Sequence, residues 1–443
     1  MLLNSFMKNW LRNRERAGKI TGMKMNGELK TRSFSLKTVV IVWVLGMCMV
    51  NASLVHATRD ERELGAAEGY PIGNRSTFHQ PKYTVGSYSH ACQVYSSRPV
   101  PRGGEVFPLK RAEKEPGITY RYDGKTYTSD NYLDRQRITG LLIIKENTVL
   151  VERYQYGRTD THRFISLSMA KTFIGMLIGI ALAEGKIASL DDTAKKYVPL
   201  LSQTPYGAVT VRQLLRMSSG VKFIGNYDGN DDVARLWRLT PSGLGKGGAE
   251  SMLSFSDLPR ESAPGVRFNY SDIETQILGL VLRAAVGTSI AQYMGEKIWQ
   301  PMGAEADACW LVDNVGQEAA YCGFNATLRD YGRFGILLSN DGTLGEKKIV
   351  PNSFVIDATS YQAHPAYMRP GNATPYLGYG YQTWIFPGNE RSFALIGTRG
   401  QSIFVHPGLK LIMVQTAVWE KHLDQEFGRE RNAFWLSLVA NFR

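Results

Sequence analysis

Ser168-Met169-Ala170-Lys171 places a hydroxyl and an amine at i and i+3. On a helix these positions are neighbours, so the Lys171 amine would stand beside the Ser168 hydroxyl. A serine hydroxyl is a weak nucleophile and needs a base, which a lysine supplies if burial and nearby positive charge lower its pKa. A helix start also leaves backbone N–H groups free to stabilise negative charge on an attacked carbonyl oxygen. Those parts together are the equipment for acyl transfer through a covalent intermediate. The tetrapeptide alone proves little, because Ser5-x-x-Lys8 and Ser219-x-x-Lys222 share it. Setting separates them. Ser168 follows a strand pair and opens an apolar helix, whereas Ser219 is followed by Gly220 at a helix end and Ser5 precedes an apolar N-terminal segment.

Two further groups carry chemistry. Tyr270-Ser271-Asp272 stands at a loop-to-helix junction, where a tyrosine can shuttle a proton if a lysine stabilises its phenolate. The plain alternative is a helix-entry tyrosine with Ser271 or Asp272 as cap. Gly397-Thr398-Arg399-Gly400-Gln401 joins two expected strands; its glycines would permit close approach by substrate, and the Gln401 N–H would supply a second oxyanion donor. Its plain alternative is an ordinary hairpin turn. Metal and phosphate chemistry find no support: there is no HExxH, the seven histidines are scattered, and no G-x-S-x-G elbow or nucleotide loop stands between a strand and a helix. No metal or organic cofactor is expected.

These residues need rigid elements behind them. ITGLLIIK (138–145) and VLVERYQY (149–156) read as a hairpin, after a short helix from Ser129 to Arg135. The run from Met169 is apolar almost all round and closes at Gly185, as a buried central helix would. Helical patterns follow at 190–201, 210–219, 272–285 and 290–299, with a loop-rich stretch over 225–265. Strand patterns return at 379–386, 392–397, 401–407 and 410–419, and an amphipathic helix covers 426–442. The expected fold is α/β (α+β): a central antiparallel sheet built from both chain ends and flanked by helices, with an all-helical region inserted at about 190–370. Residues 58–116 show neither helical nor strand period and read as an extended arm lying on the main domain, 117–443.

The net charge of +12 resolves on inspection. Residues 1–37 hold nine Lys/Arg against two Asp/Glu, while from Thr58 onward 43 basic residues face 38 acidic ones. That balance gives no electrostatic footprint for nucleic acid. A basic flank, an uncharged apolar core at 38–50 and a small-residue exit at Val55-His56-Ala57 make residues 1–57 a secretory signal, and export to the periplasm is expected. Starts at Met23 or Met25 would give the flank an ordinary length. The competing reading is an uncleaved anchor, the chain's only contact with a membrane. Three cysteines follow: Cys92, Cys309 and Cys322. An odd number in an oxidising compartment suggests one pair and one leftover. Cys309 and Cys322 flank a turn at 313–316 and are the candidate pair, with two buried thiols as the alternative.

The order strand hairpin, S-M-A-K helix, Tyr-Ser-Asp a hundred residues on, and G-x-x-G-Q between late strands resembles the serine β-lactamase and penicillin-binding-protein superfamily. Within it, residues 117–443 are most similar to class C-like members, especially 6-aminohexanoate-dimer hydrolases and related esterases. ERYQYGR (152–158), LDDTAKKYVPLL (190–201), TVRQLLRMSSGV (210–221), NATLRDYGRFG (325–335) and YGYQTW (379–384) support the likeness. The resemblance implies that Ser168 is acylated, that Lys171 is its base partner, and that Tyr270 shuttles the proton. It implies an oxyanion hole from the Ser168 and Gln401 N–H groups, and a substrate-covering role for Tyr227. Asp272, Thr398, Arg399 and Gly400 fall at substrate-binding positions. Two departures matter: Asp272 replaces the family's Asn, and Thr398-Arg399-Gly400 replaces Lys-Thr-Gly or His-x-Gly. Neighbouring strand residues point to opposite faces, so at most one of Thr398 and Arg399 meets the cleft. The implied activity is therefore hydrolysis of a small amide, ester or peptide-like substrate, ahead of a class C-like β-lactamase or D,D-peptidase, or a non-catalytic binding protein on the same fold.

Overall fold

Hydrophobic alternation in the strands decides the architecture. In a computed structural model of the chain, which describes residues 59–443, Leu142 and Ile144 turn to one face of the main sheet and Leu141 and Ile143 to the other. All four are fully buried, so the sheet is covered on both sides. On the Leu142 side lie the helices Ala170–Ala183, Asp272–Val286 and Leu328–Ser339. On the Leu141 side the C-terminal helix Gln425–Asn441 packs Phe434, Trp435 and Leu438 against Phe404 and Met413.

The sheet has eight strands in the order Gly378–Tyr379, Trp384–Ile385, Phe393–Ile396, Ser402–His406, Leu411–Ala417, Ile138–Lys145, Thr148–Tyr154 and Lys110–Arg111. Its pairs are antiparallel except the last, which is parallel. Leu411–Ala417 beside Ile138–Lys145 is the seam where the two chain ends meet, as expected.

The inserted region differs from the all-helical expectation. It carries Ala308–Leu311 and Phe324–Ala326, which pair with Ser97–Val100 and Phe164–Ile165 in a second, four-stranded sheet. Strands this short show no readable alternation, and all seven inserted-strand residues are buried. The arm is likewise more ordered than an extended segment. It holds the helices Arg59–Glu63, Pro81–Tyr88 and Ala91–Val94, and its strand Ser97–Val100 pairs with Ala308–Leu311. Helices of four to eight residues are too short to print a helical period.

The disulfide is also not the expected one. Cys92 bonds Cys309, tying the arm to the second sheet, and Cys322 is a buried free thiol. Spacing along the chain favoured Cys309 with Cys322; strand pairing brings the distant arm to Cys309 instead. The segment expected to be a secretory signal, 1–57, lies outside the described residues.

Candidate active site

The strand Phe164–Ile165 ends at Ser166, whose N–H donates to the Phe324 carbonyl at 2.8 Å. Leu167 then takes a left-handed backbone, φ 43°, which a leucine adopts only at a cost of about 1–2 kcal/mol. That bend converts strand into helix within one residue. Ser168 follows in a first 3₁₀ turn, Leu167–Met169, which runs on into the helix Ala170–Ala183. From Phe164 to Ala181 every residue is buried except Ser168, which opens to a cleft of about 640 Å³.

The geometry joins the first two sequence elements. Lys171 Nζ lies 2.9 Å from Ser168 Oγ, 2.5 Å from Asp272 Oδ1 and 3.1 Å from the Tyr321 carbonyl oxygen. Three acceptors saturate the three N–H bonds of an ammonium. Burial pulls the Lys171 pKa down, but the Asp272 carboxylate and Tyr270 outweigh it, and the net shift is upward. The resting lysine is therefore a cation that donates to Ser168. The Tyr270 ring stands 5.0 Å from Lys171 Nζ and stacks on Trp384 at 5.2 Å. Burial raises the Tyr270 pKa, with Asp272 adding to the rise; Lys171 and the Ser168 hydroxyl oppose it.

The third element is rearranged relative to expectation. Gly397 makes the close approach: a Cβ there would lie 2.6 Å from the Ser166 carbonyl oxygen and 3.2 Å from the Ser168 nitrogen. Gly400, φ 91°, packs on the Trp419 indole, which a Cβ would strike at 2.6 Å, so its glycine serves packing and not substrate. Thr398 lines the cleft and Arg399 does not. The Arg399 guanidinium is buried, donating to the Trp419 and Glu420 carbonyls at 3.1 and 2.6 Å. Gln401 is corrected as an oxyanion donor: its N–H closes the 3₁₀ turn on the Thr398 carbonyl at 3.4 Å, and its amide reaches Arg399 and Ala417. The Thr398 N–H, first in that turn and next to Gly397, has no acceptor within it.

Tyr227 lines the cleft, with its ring stacked on His422 at 5.2 Å and its N–H on Asp231. Asp272 lines the cleft as the Lys171 counter-ion, and so touches Lys171 directly. Residues the sequence did not single out complete the walls: Arg75 and His79 from the arm, Trp237 and Arg238 from the helix Asp232–Leu239, and His422. Among the described residues no cluster of His, Cys, Asp or Glu suits a metal ion.

The chain is similar to several known proteins. A 6-aminohexanoate-dimer hydrolase of Paenarthrobacter ureafaciens is 25% identical over 287 residues, 63% of this chain and 72% of that protein. A Bacillus anthracis structure carrying a provisional 6-aminohexanoate-dimer hydrolase name superposes with a TM-score of 0.73 at 23% identity, over 82% of this chain and 95% of that one. A family VIII carboxylesterase structure covers 70% of this chain and 96% of its own, at 17% identity and a TM-score of 0.53. The Beta-lactamase family profile matches residues 128–430, a span holding Ser168, Lys171, Tyr270, Asp272 and Thr398, and the chain belongs to that family as an enzyme of the serine-hydrolase type.

Proposed function

We propose that the protein hydrolyses a small amide or ester through an acyl-enzyme on Ser168. The observation that carries this reading is the Lys171 ammonium 2.9 Å from Ser168 Oγ, at the floor of an open cleft. Attack by Oγ on the substrate carbonyl creates an oxyanion, for which the Ser168 and Thr398 N–H groups are the donors. The proton leaves Oγ for Tyr270, whose phenolate the Lys171 cation stabilises. Tyr270 then protonates the leaving amine or alcohol, and water releases the acyl group by the reverse proton path. Since Asp272 raises the pKa of both Lys171 and Tyr270, the reactive form holds one proton fewer than the resting site and grows with pH.

Amide and ester substrates are preferred over β-lactams because no lysine or histidine stands at Thr398 to hold a β-lactam carboxylate. The arm disulfide supports export, since such bonds persist in oxidising compartments. Intact-mass analysis after incubation with esters, amides and β-lactams tests the reading. Mass added to the wild type and absent from Ser168→Ala is expected. Equal labelling of both would end the assignment.

A further inference from the structure

The cleft walls are sharply divided in character. One side is a continuous run of rings: Trp237 lies 5.2 Å from His79, His79 5.8 Å from His422, and His422 5.2 Å from Tyr227. Neither imidazole adds charge near neutral pH. Burial, helped by the Arg399 guanidinium, pushes His79 down to about 3 and His422 down to about 4. Tyr88 holds the His79 ring by a 2.7 Å hydrogen bond to Nδ1. This is a fixed, uncharged aromatic surface, in which the His79 ring is tilted by 57° to Trp237 and 59° to His422.

The rim is different. Arg75 and Arg238 line the same cleft and are exposed. Arg75 donates to the Ser242 carbonyl at 3.0 Å and to Ser96 Oγ at 3.4 Å, and Arg238 to the Gly229 carbonyl at 3.4 Å. Among the described residues neither guanidinium pairs with a carboxylate. The two carboxylates of the lining are already committed. Asp272 holds Lys171, and Asp231 caps a helix, one oxygen accepting from Tyr227 N and the other from Ala234 N. Arg75 and Arg238 therefore have no ion-pair partner in the cleft, where Asp231 is held by backbone N–H groups, and they stand beyond a neutral aromatic wall.

Resting on the proposed amide or ester hydrolysis, we infer that the substrate has an apolar or aromatic body that lies on the Trp237–His79–His422–Tyr227 wall and an anionic group that Arg75 and Arg238 receive. A guanidinium whose donors are met only by neutral oxygens gains a charge-assisted bond when a carboxylate arrives. The N-terminal arm is then part of the substrate site, since it supplies both Arg75 and His79.

Two matched ester pairs test this with the full chain at low ionic strength. Mono-4-nitrophenyl adipate against its methyl ester places the charge on the acyl side. 4-Butyryloxybenzoate against its methyl ester places it on the leaving-group side. Each rate is normalised to spontaneous hydrolysis. In at least one pair the acid should exceed its methyl ester in kcat/KM by about tenfold, chiefly through KM, and the advantage should shrink in 0.5 M salt. In Arg75→Gln and Arg238→Gln together the ratio should fall toward one. A ratio taken on one preparation does not depend on how much of it is folded. Ratios near one in both wild-type pairs, or an advantage that survives the double variant, would overturn the inference while leaving the hydrolase reading intact. Failure of every ester to acylate Ser168 would remove the hydrolase reading, and this inference with it.

Discussion

Ser168 and Ser219 each stand three residues ahead of a lysine, and each is served by a carboxylate from the first turn of one helix, Asp272–Val286. Asp272 and Glu274 are two residues apart, so they leave that helix on opposite sides. Asp272 reaches Lys171 beside Ser168, while Glu274 accepts from Ser219 Oγ at 2.6 Å. At Ser168 the helix brings the lysine back over the hydroxyl. After Ser219 the chain turns at Gly220, φ 76°, and Lys222 departs to the surface, pairing with Glu261 at 3.0 Å. One arrangement exposes a hydroxyl to a cleft beside a cation; the other buries a hydroxyl on an acid. The difference teaches that the tetrapeptide acquires chemistry only when a helix start folds it.

Exchange of each serine for alanine should split the two sites most widely. Ser168→Ala is expected to lose about 10⁴–10⁶-fold in turnover, measured with the best ester or amide substrate. Ser219→Ala should still form the acyl-enzyme, and should instead lower the melting temperature by the equivalent of about 1–2 kcal/mol for a buried hydrogen bond. An inactive but stable Ser219→Ala would break the comparison.

The next largest effect tests the proposed oxyanion donors; at the other site the Ser219 N–H is already spent on Glu274 Oε1. Thr398 opens a 3₁₀ turn and Gly397 before it is extended, φ −103° and ψ 160°, so proline fits at 398 on both counts. Thr398→Pro removes only the N–H and the side chain. Its kcat should fall about 10²–10³-fold, whereas Thr398→Val, which keeps the N–H, should retain most of it. Equal losses would return the role to the side chain.

The third effect concerns the carboxylate. Asp272→Asn leaves a hydrogen-bond acceptor near Lys171 but deletes the charge that raises both Lys171 and Tyr270. The rising limb of the pH profile for acylation should move to lower pH by about one unit or more. An unmoved limb would mean that neither group titrates in the reaction.

What the sequence made legible in these sites follows from distance along the chain. Ser168 and Lys171 are one helical turn apart, and local periodicity is enough to pair them. The seam between Ile138–Lys145 and Leu411–Ala417 was readable because long alternating strands bury both faces. The Tyr270 and Gly397–Gln401 segments were found by their order, but the inner detail of the latter was not. With Arg399 at φ 55° in the turn, Thr398 and not Gln401 lines the cleft, and no residue type announces that dihedral. Arg75 and His79 stayed invisible for a tertiary reason. They reach the cleft because the arm pairs through Ser97–Val100 and is bonded at Cys92–Cys309, contacts that span more than 200 residues. The expected Cys309–Cys322 pair failed on the same ground.

The smallest effect sharpens the Ser219 side. Burial raises the Glu274 pKa from 4.5 to about 8, against the Ser219 hydroxyl and backbone N–H groups that favour its charge. Its Oε2 finds no hydrogen-bond partner among the described residues. Between pH 4.5 and 8 the folded chain thus holds a proton that the unfolded chain has released. Unfolding sheds that proton, so this group makes stability fall as pH rises through the window, by on the order of a few kcal/mol in all. Glu274→Gln carries a neutral group of the same shape and has no such slope. Its melting temperature relative to wild type should therefore be higher at pH 8.5 than at pH 5. If the two melting curves instead ran parallel across that range, Glu274 would be a carboxylate in the fold, with the Arg260 guanidinium as its counter-ion, and both carboxylates of this helix turn would then be working charged.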